Sequence, residues 1–398
     1  MEAMKAVVLA GGLEVSRCPL ALVRPRPLFP LLTDVLLGKL LRELYAVDVD
    51  EAIVCANGRT TILREHFLKR PSEHVALEFY DDELPRGAAG CVKDVEGFLG
   101  RDTFLVVEAG LFLEGALGRL VEEHRASGSA MTVGAVPTSD WEGGDGKGSE
   151  GEPLSPLGVY VAEPDILEQV PAAGYYDIKE QLIPKLRTKG MRVAASRYRG
   201  RHRRVFGARS YAAFVHDLLS GVFGAAEFDG LQDVGGQVWK GRGAEIAPTA
   251  TLIGPVVVGP NAVVGEDAVV AGPSLIGEGA VVEEKAFVSS SILWPNCRVG
   301  AGARVEHSIV TDSYRVRELA ELSRSVAVDR DFRLGDVHGL RLSGYAVLAQ
   351  EPGIALAQRQ AAFLTALSRL RGSVLGLRNG TVGGRDTEVP SNRQYSPK

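Results

Sequence analysis

Residues 246–288 read IAPTATLIGPVVVGPNAVVGEDAVVAGPSLIGEGAVVEEKAFV, and an aliphatic residue recurs at every sixth position of this stretch. The recurring residues are Ile246, Leu252, Val258, Val264, Val270, Ile276, Val282 and Val288. Glycine follows three of them, at Gly259, Gly265 and Gly277. A hexapeptide repeat of this kind predicts a parallel β-helix, in which each side of the coil buries its aliphatic residue and glycines form the corners.

The repeat changes after Val288. Its frame slips by one residue and resumes at Leu293, Val299 and Val305, which predicts one irregular corner. The period fades after Thr311. The sequence therefore predicts a coil over residues 244–312.

The first half of the chain follows a different pattern. Over residues 1–223, short β-branched runs alternate with stretches of helical period, which is typical of a parallel sheet flanked by helices. Strands are predicted at residues 6–10, 52–56, 75–80, 103–107, 131–136 and 159–162. A helix is predicted over residues 34–45, with Asp34 as its amino-terminal cap. We expect a doubly wound α/β domain.

Segments of weak or polar pattern separate and follow these two units. Residues 224–243 are rich in glycine and predict a linker, and residues 140–151 predict a flexible loop within the first domain. An extension with one helix is predicted over residues 313–378, and a disordered polar tail over residues 379–398.

Composition excludes several classes of protein. A chain of 398 residues, at about 150 residues per domain, predicts two or three domains. The balance of 45 Lys and Arg against 50 Asp and Glu leaves no basic field for nucleic acid. The four cysteines (Cys18, Cys55, Cys91 and Cys297) have neither a disulfide nor a zinc-site spacing. The early apolar run is too short to cross a membrane, and we expect a cytoplasmic protein.

Two glycine turns could approach a ligand closely. The first strand runs into Leu9-Ala10-Gly11-Gly12, and a second turn reads Gly87-Ala88-Ala89-Gly90. Glycine after a strand lets backbone N–H groups face a phosphate or a base. The same glycines would equally serve an ordinary strand-to-helix turn, and both interpretations stay open.

Taken together, KAVVLAGG from Lys5, PRPL from Pro25, GAAG from Gly87, GVY from Gly158 and the hexapeptide coil resemble the sugar-1-phosphate nucleotidyltransferases. The similar subgroup is mannose-1-phosphate guanylyltransferase and related nucleotide-sugar pyrophosphorylases. The resemblance implies a Rossmann-like nucleotidyltransferase domain, a left-handed parallel β-helix and a short helical tail. It implies transfer of a nucleotide to a sugar 1-phosphate with Mg²⁺ held by aspartates. It also implies nucleotide-binding positions at Leu9, Ala10, Gly11, Gly12, Arg26, Gly87, Ala89 and Gly90.

The chain departs from the family pattern where the chemistry is expected. Ser16 stands at the place of the family's signature arginine, with Arg17 one place along, and Glu14 replaces a glycine. Arg26 replaces a lysine, while Gly110 and Arg204 replace the two aspartates that bind Mg²⁺. Glu108, two residues before Gly110, could rescue the metal site in part.

Loss of both carboxylates removes the ion that would neutralise the transferred phosphate. We therefore expect no intact catalytic site, no bound metal, and a role as a nucleotide-sugar-binding regulatory or scaffold subunit in polysaccharide precursor synthesis. Expected partners are a nucleotide or nucleotide sugar, an active nucleotidyltransferase paralogue, and further copies through the β-helix, without nucleic acid or membrane.

Alternative functions remain open. The first is an active Mg²⁺-dependent nucleotidyltransferase with a rearranged site. The second is a β-helix acyltransferase with His307 as its base. Residues 197–204, RYRGRHRR, could bind a phosphate or an acidic partner, or form an ordinary solvated strand end.

Overall fold

A computed structural model describes residues 4–11, 20–58, 60–83, 85–144, 151–223, 228 and 230–328. The helix predicted within the extension after residue 313 and the polar tail lie outside these residues. The strands of the first domain are β1 Met4–Leu9, β2 Pro30–Leu31, β3 Asp34–Val35, β4 Val49–Ala56, β5 Ala76–Asp81, β6 Phe104–Glu108, β7 Leu111–Glu114, β8 Met131–Pro137, β9 Gly143–Gly144, β10 Leu154–Ala162, β11 Val193–Arg197 and β12 Arg201–Arg204. Its α-helices are α1 Leu20–Val23, α2 Leu36–Tyr45, α3 Thr60–Lys69, α4 Gly87–Asp94, α5 Glu96–Leu99, α6 Leu117–Ser127, α7 Ile183–Thr188 and α8 Ala208–Leu219.

The predicted α/β domain is confirmed. Seven strands form one sheet in the order β11-β8-β10-β6-β1-β4-β5. All neighbours are parallel except β10, which runs antiparallel to β6 and β8. Because β1 lies between β6 and β4, the carboxyl ends of these three strands meet at one edge, which is where open α/β sheets bind ligands.

Local structure departs from the prediction in two places. Asp34 does not cap α2: it lies in β3, its carboxylate accepts from the Val35 amide at 2.7 Å, and the helix begins at Leu36. The apolar stripe of α2 forms the helix without that cap, because its leucines are buried against the sheet. The predicted loop 140–151 is partly ordered: Gly143–Gly144 pairs with β12, while residues 145–150 lie outside the described chain.

The second part of the structure is a coil of short parallel strands. Its strands are β13 Gln232–Gly235, β14 Val238–Lys240, β15 Glu245–Ile246, β16 Thr251–Ile253, β17 Val256–Val258, β18 Val263–Val264, β19 Val269–Ala271, β20 Ser274–Ile276, β21 Val281–Val282, β22 Phe287–Ser289, β23 Ile292–Leu293, β24 Arg298–Val299, β25 Arg304–Glu306, β26 Ile309–Val310, β27 Arg315–Val316, β28 Glu321–Ser323 and β29 Val326–Ala327. They form three sheets, with orders β13-β14-β17-β20-β23-β26-β29, β15-β18-β21-β24-β27 and β16-β19-β22-β25-β28. These sheets are consistent with the predicted left-handed β-helix.

The coil extends beyond the predicted limits of 244 and 312. It begins with β14, inside the expected linker, and continues to β29. Early turns have 18 residues, as in the pairing of Val264 with Val282, whereas later ones have 17, as in the pairing of Val282 with Val299. The slip after Val288 is therefore not one irregular corner, because every later turn repeats it.

Buried serines occupy the shortened corner of these later turns. Ser291, Ser308 and Ser325 follow one another at intervals of 17 residues. The backbone amide of Ser308 donates to Ser291 Oγ at 3.1 Å, and that of Ser325 donates to Ser308 Oγ at 3.1 Å. This ladder satisfies backbone groups that a tighter corner would otherwise leave unpaired.

The coil and the first domain share a core. The face of the coil that carries β17, β20 and β23 packs against α8, and Trp294 is fully buried between them. In the part of the chain that the structure describes, no helix combines the length and the apolar character needed to span a bilayer.

Candidate functional site

A cleft of about 820 Å³ lies at the carboxyl ends of β1, β4 and β6. Its lining comprises Leu9, Gly11, Arg26, Cys55, Asn57, Asp82, Pro85, Gly87, Ala88, Cys91, Glu108, Gly110, Trp141, Glu142, Tyr160, Tyr175, Asp177, Ile178, Lys179, Arg204, Val205, Phe206 and Gly207. The cleft therefore brings together residues that lie as much as 198 positions apart, as Leu9 and Gly207 do.

The first glycine turn forms one wall of the cleft. Leu9 and Gly11 line it, and the amide of Ala10, which does not line it, donates to the Cys55 carbonyl at 2.8 Å. A Cβ on Gly11 would stand 3.2 Å from Asn57 Oδ1, a buried amide oxygen with no hydrogen-bond partner among the described residues. Gly12 and Ser16 lie outside the described residues.

The second glycine turn begins helix α4. Gly87 has φ +77°, and a Cβ there would lie 2.7 Å from the Tyr176 carbonyl oxygen, so the position requires glycine. The amide of Gly90 donates to that same oxygen at 3.1 Å. Gly87 borders the cleft, whereas Ala89 and Gly90, also predicted to bind nucleotide, are buried behind its wall.

Two cations contact one carboxylate where β6 ends, beside Leu9 of the neighbouring strand. Arg204 Nη1 lies 2.7 Å from Glu108 Oε2, and Lys179 Nζ lies 3.3 Å from Glu108 Oε1. Arg26 also lines the cleft, next to Gly110. We call these four side chains the basic corner, and their formal charge is +2.

Gly110 leaves room for the Arg26 side chain. A Cβ on Gly110 would stand 3.1 Å from Arg26 Nη1 and 3.2 Å from Arg26 Cδ. Burial lowers the pKa of Arg26 to about 10, while Glu108 opposes this shift and Arg204 adds to it. Since this value is well above neutral pH, Arg26 keeps its charge.

Glu108 is held in place by its neighbours. Gly158 has φ +90°, and a Cβ there would lie 2.5 Å from the carboxyl carbon of Glu108. The GVY motif thus begins with a glycine for two reasons, its backbone conformation and its contact with Glu108. Because Glu108 is already bound to Arg204 and Lys179, it is not a free metal ligand.

The basic corner does not fit a magnesium ion. Gly110 offers no ligand atom, the Arg26 side chain fills the space before it, and Arg204 would repel a cation. Among the described residues, no group of three or more His, Cys, Asp or Glu side chains could hold a metal. Magnesium prefers several oxygen ligands, and two arginines supply none.

An aromatic platform borders the basic corner. The guanidinium carbon of Arg204 lies 4.8 Å from the centre of the Trp141 ring, which stacks with Phe206 at 5.9 Å. Trp141 was not predicted as a cleft residue, because residues 140–151 have the composition of a loop. Lys179 was not predicted either, because its position near Glu108 depends on a contact across 71 residues.

The arginine-rich run contributes only Arg204 to the cleft lining. Arg201 pairs with Glu114 at 3.2 Å, and Arg203 pairs with Asp217 at 2.8 Å. His307 is exposed at a corner of the coil with φ +47°.

Comparison with known proteins agrees with this architecture. The family model described as nucleotidyl transferase matches residues 5–143, and the model described as GMPPB C-terminal domain matches residues 252–351. By the two matches together, this chain is similar to the sugar-1-phosphate nucleotidyltransferases, and each match covers less than half of this chain. It is 25% identical to a mannose-1-phosphate guanylyltransferase from Mycobacterium tuberculosis, over 64% of this chain and 74% of that protein. It is also 25% identical to a UTP–glucose-1-phosphate uridylyltransferase from Synechocystis, over 79% of this chain and 88% of that protein.

Proposed function

We propose that this nucleotidyltransferase homologue binds a nucleotide sugar without a metal ion and does not catalyse nucleotidyl transfer. The observation that carries the proposal is the basic corner, where Arg26 fills the space before Gly110 and Arg204 pairs with Glu108. Two fixed guanidinium groups and Lys179 supply there the positive charge that Mg²⁺ would supply in an active relative.

The charge of the basic corner favours a nucleotide sugar over a nucleoside triphosphate. The diphosphate of a nucleotide sugar carries two negative charges, which the three cations of the basic corner can pair with, while Asp82, Glu142 and Asp177 elsewhere in the lining disfavour a more highly charged ligand. Arginine forks bind phosphate oxygens in pairs, so Arg26 and Arg204 can hold such a diphosphate directly. A triphosphate brings about two further charges, which a divalent ion usually neutralises.

Catalysis requires more than this binding. The transferred phosphorus needs a metal to neutralise charge that develops on its oxygens, and the donor set around Gly110 cannot hold one. A regulatory subunit requires a protein that binds the ligand without converting it. We infer that it acts as a regulatory or scaffold partner of an active paralogue in polysaccharide precursor synthesis, in oligomers formed through the β-helix.

Two assays on the full chain test this function. In a thermal-shift screen, GDP-mannose should raise the melting temperature equally with EDTA and with Mg²⁺, because ligand binding stabilises only the folded state. Arg26→Gln should abolish the shift, while Arg125→Gln, an exposed arginine on α6, should preserve it. In a pyrophosphate-release assay with a panel of nucleoside triphosphates and sugar phosphates, we expect no turnover. Mg²⁺-dependent turnover would establish the active enzyme instead.

A further inference from the structure

Residues 24–30 connect the coil to the cleft. Arg24, at the start of this segment, forms a bidentate ion pair with Asp312 of the coil, with Nε–Oδ2 at 2.9 Å and Nη2–Oδ1 at 2.8 Å. The guanidinium carbon of Arg24 also lies 5.8 Å from the centre of the Trp294 ring. One end of the segment is therefore fixed to the coil.

The other end of the segment is fixed to Tyr211 of α8 and to Trp294 of the coil. The Phe29 ring lies 5.2 Å from the Tyr211 ring and 5.4 Å from the Trp294 ring. The Pro30 carbonyl accepts from the Tyr211 hydroxyl at 2.6 Å, and that hydroxyl accepts from Trp294 Nε1 at 3.0 Å. All four side chains are buried, so this anchor is a packed and fully hydrogen-bonded unit.

The middle of the segment is stiff and carries Arg26 into the cleft. Pro25 and Pro27 flank Arg26, and proline fixes the backbone angle φ. A short 3₁₀ turn, Arg26–Leu28, adds hydrogen bonds from the Leu28 amide to the Pro25 carbonyl at 2.8 Å and from the Phe29 amide to the Arg26 carbonyl at 3.0 Å. A shift at either anchor must therefore move Arg26, because the short segment cannot absorb it.

We propose that the β-helix sets the position of the phosphate-facing Arg26, with Asp312 and Trp294 as positioning residues. The expected change in nucleotide-sugar affinity rests on the proposed function, whereas the expected change in the position of the Arg26 side chain does not. A partner or a second copy that displaces this end of the coil would change phosphate affinity through the segment. The coil thereby contributes to the cleft without touching the ligand.

The test compares two coil variants of the full-length protein. Asp312→Asn removes the ion pair with Arg24, which is one of the two anchors of residues 24–30. Glu278→Gln is the matched control, because it breaks another ion pair between the coil and the first domain, that of Glu278 with Arg70, away from this segment. The first readout is the rate at which phenylglyoxal modifies Arg26 in the ligand-free protein, followed by mass spectrometry. We expect several-fold faster modification in Asp312→Asn and no change in Glu278→Gln.

The second readout is calorimetric affinity for GDP-mannose and for guanosine, which has no phosphate. Asp312→Asn should weaken GDP-mannose binding about tenfold and leave guanosine binding unchanged. If Asp312→Asn fails to fold, Arg24→Lys replaces it, since lysine keeps the charge but loses the paired geometry.

Unchanged modification of Arg26 in the variant that folds would overturn the inference. Failure of the wild-type protein to bind GDP-mannose would overturn the proposed function alone, because the phenylglyoxal result does not require a ligand.

Discussion

Glu108→Gln separates metal-free binding from metal-dependent catalysis. The Glu108 carboxylate accepts from Arg204 at 2.7 Å and from Lys179 at 3.3 Å, so it competes with a ligand phosphate for both cations. Glutamine keeps the shape and one acceptor oxygen but removes the negative charge. If these cations hold the ligand phosphates, the variant should bind GDP-mannose more tightly than the wild-type protein.

The size of this effect follows from the charges. A phosphate held by the same two cations would lie ~7 Å from the Glu108 carboxylate, where repulsion per unit charge is about 0.6 kcal/mol in water and about 2.4 kcal/mol at an effective dielectric constant of about 20. Removing this repulsion corresponds to about threefold to sixtyfold tighter binding. The free energy of unfolding of the ligand-free protein should fall by about 1–3 kcal/mol, because Arg204 loses a charged partner.

Isothermal titration calorimetry in EDTA measures the affinity, and urea unfolding measures the stability. Glu114→Gln is the control, because Glu114 pairs with Arg201 and neither residue is among those that line the cleft. It should leave affinity unchanged. Binding in EDTA that is weaker in Glu108→Gln than in the wild-type protein would refute this prediction, since it would make Glu108 a contact of the ligand.

Three further substitutions test the structure around this site. Gly158→Ala should lower the free energy of unfolding by about 1–3 kcal/mol more than Gly174→Ala. Both glycines have φ near +90°. A Cβ would contact Glu108 at Gly158, whereas no described atom lies within 4 Å of a Cβ at Gly174. Equal losses in urea unfolding would show that the Glu108 contact is irrelevant. Burial, with help from Arg24 and Arg70, lowers the pKa of His66 to about 4, so the unfolded chain, with a histidine pKa near 6.5, takes up this proton first as the pH falls. The contribution of His66 to the free energy of unfolding is therefore complete above pH 6.5 and declines toward pH 4. In thermal melts, His66→Gln should flatten this decline, and His74→Gln, at an exposed position, should not. Ser291→Ala should lower the free energy of unfolding by about 1–3 kcal/mol, because it leaves the Ser308 amide unpaired. Substitution of the exposed Ser323 by alanine should lower it little. Similar losses for the two variants in urea unfolding would show that the serine ladder does not stabilise the coil.

The sequence predicts the coil well because each aliphatic residue of the hexapeptide points into one narrow core. Its last turns were missed because the repeat becomes 17 residues, and a search at strict intervals of six loses Val316, Leu322 and Ala327. A search for the spacing 6-6-5 would have found them. Six of the seven strands of the main sheet were predicted because they are short β-branched runs bounded by turns, whereas β11 and the short strands outside this sheet were not.

The cleft was predictable only in part. The resemblance placed Arg26, Gly110 and Arg204 at functional positions, and the structure brings all three together. The sequence could not show that Arg26 fills the space before Gly110, nor that Lys179 reaches Glu108, because these contacts join distant segments through tertiary packing. Asp34 was wrongly predicted as a helix cap because strand pairing in the β2-β3 hairpin takes it out of the cap position.

The most direct test is a crystal structure of the protein with GDP-mannose and Mn²⁺, with data collected at the manganese absorption edge. It tests whether Arg26 and Arg204 bind the diphosphate in place of a metal ion. We expect the diphosphate oxygens to contact Arg26 and Arg204, and no anomalous peak in the cleft. An anomalous peak for manganese, coordinated by protein oxygens beside Gly110, would contradict metal-free binding.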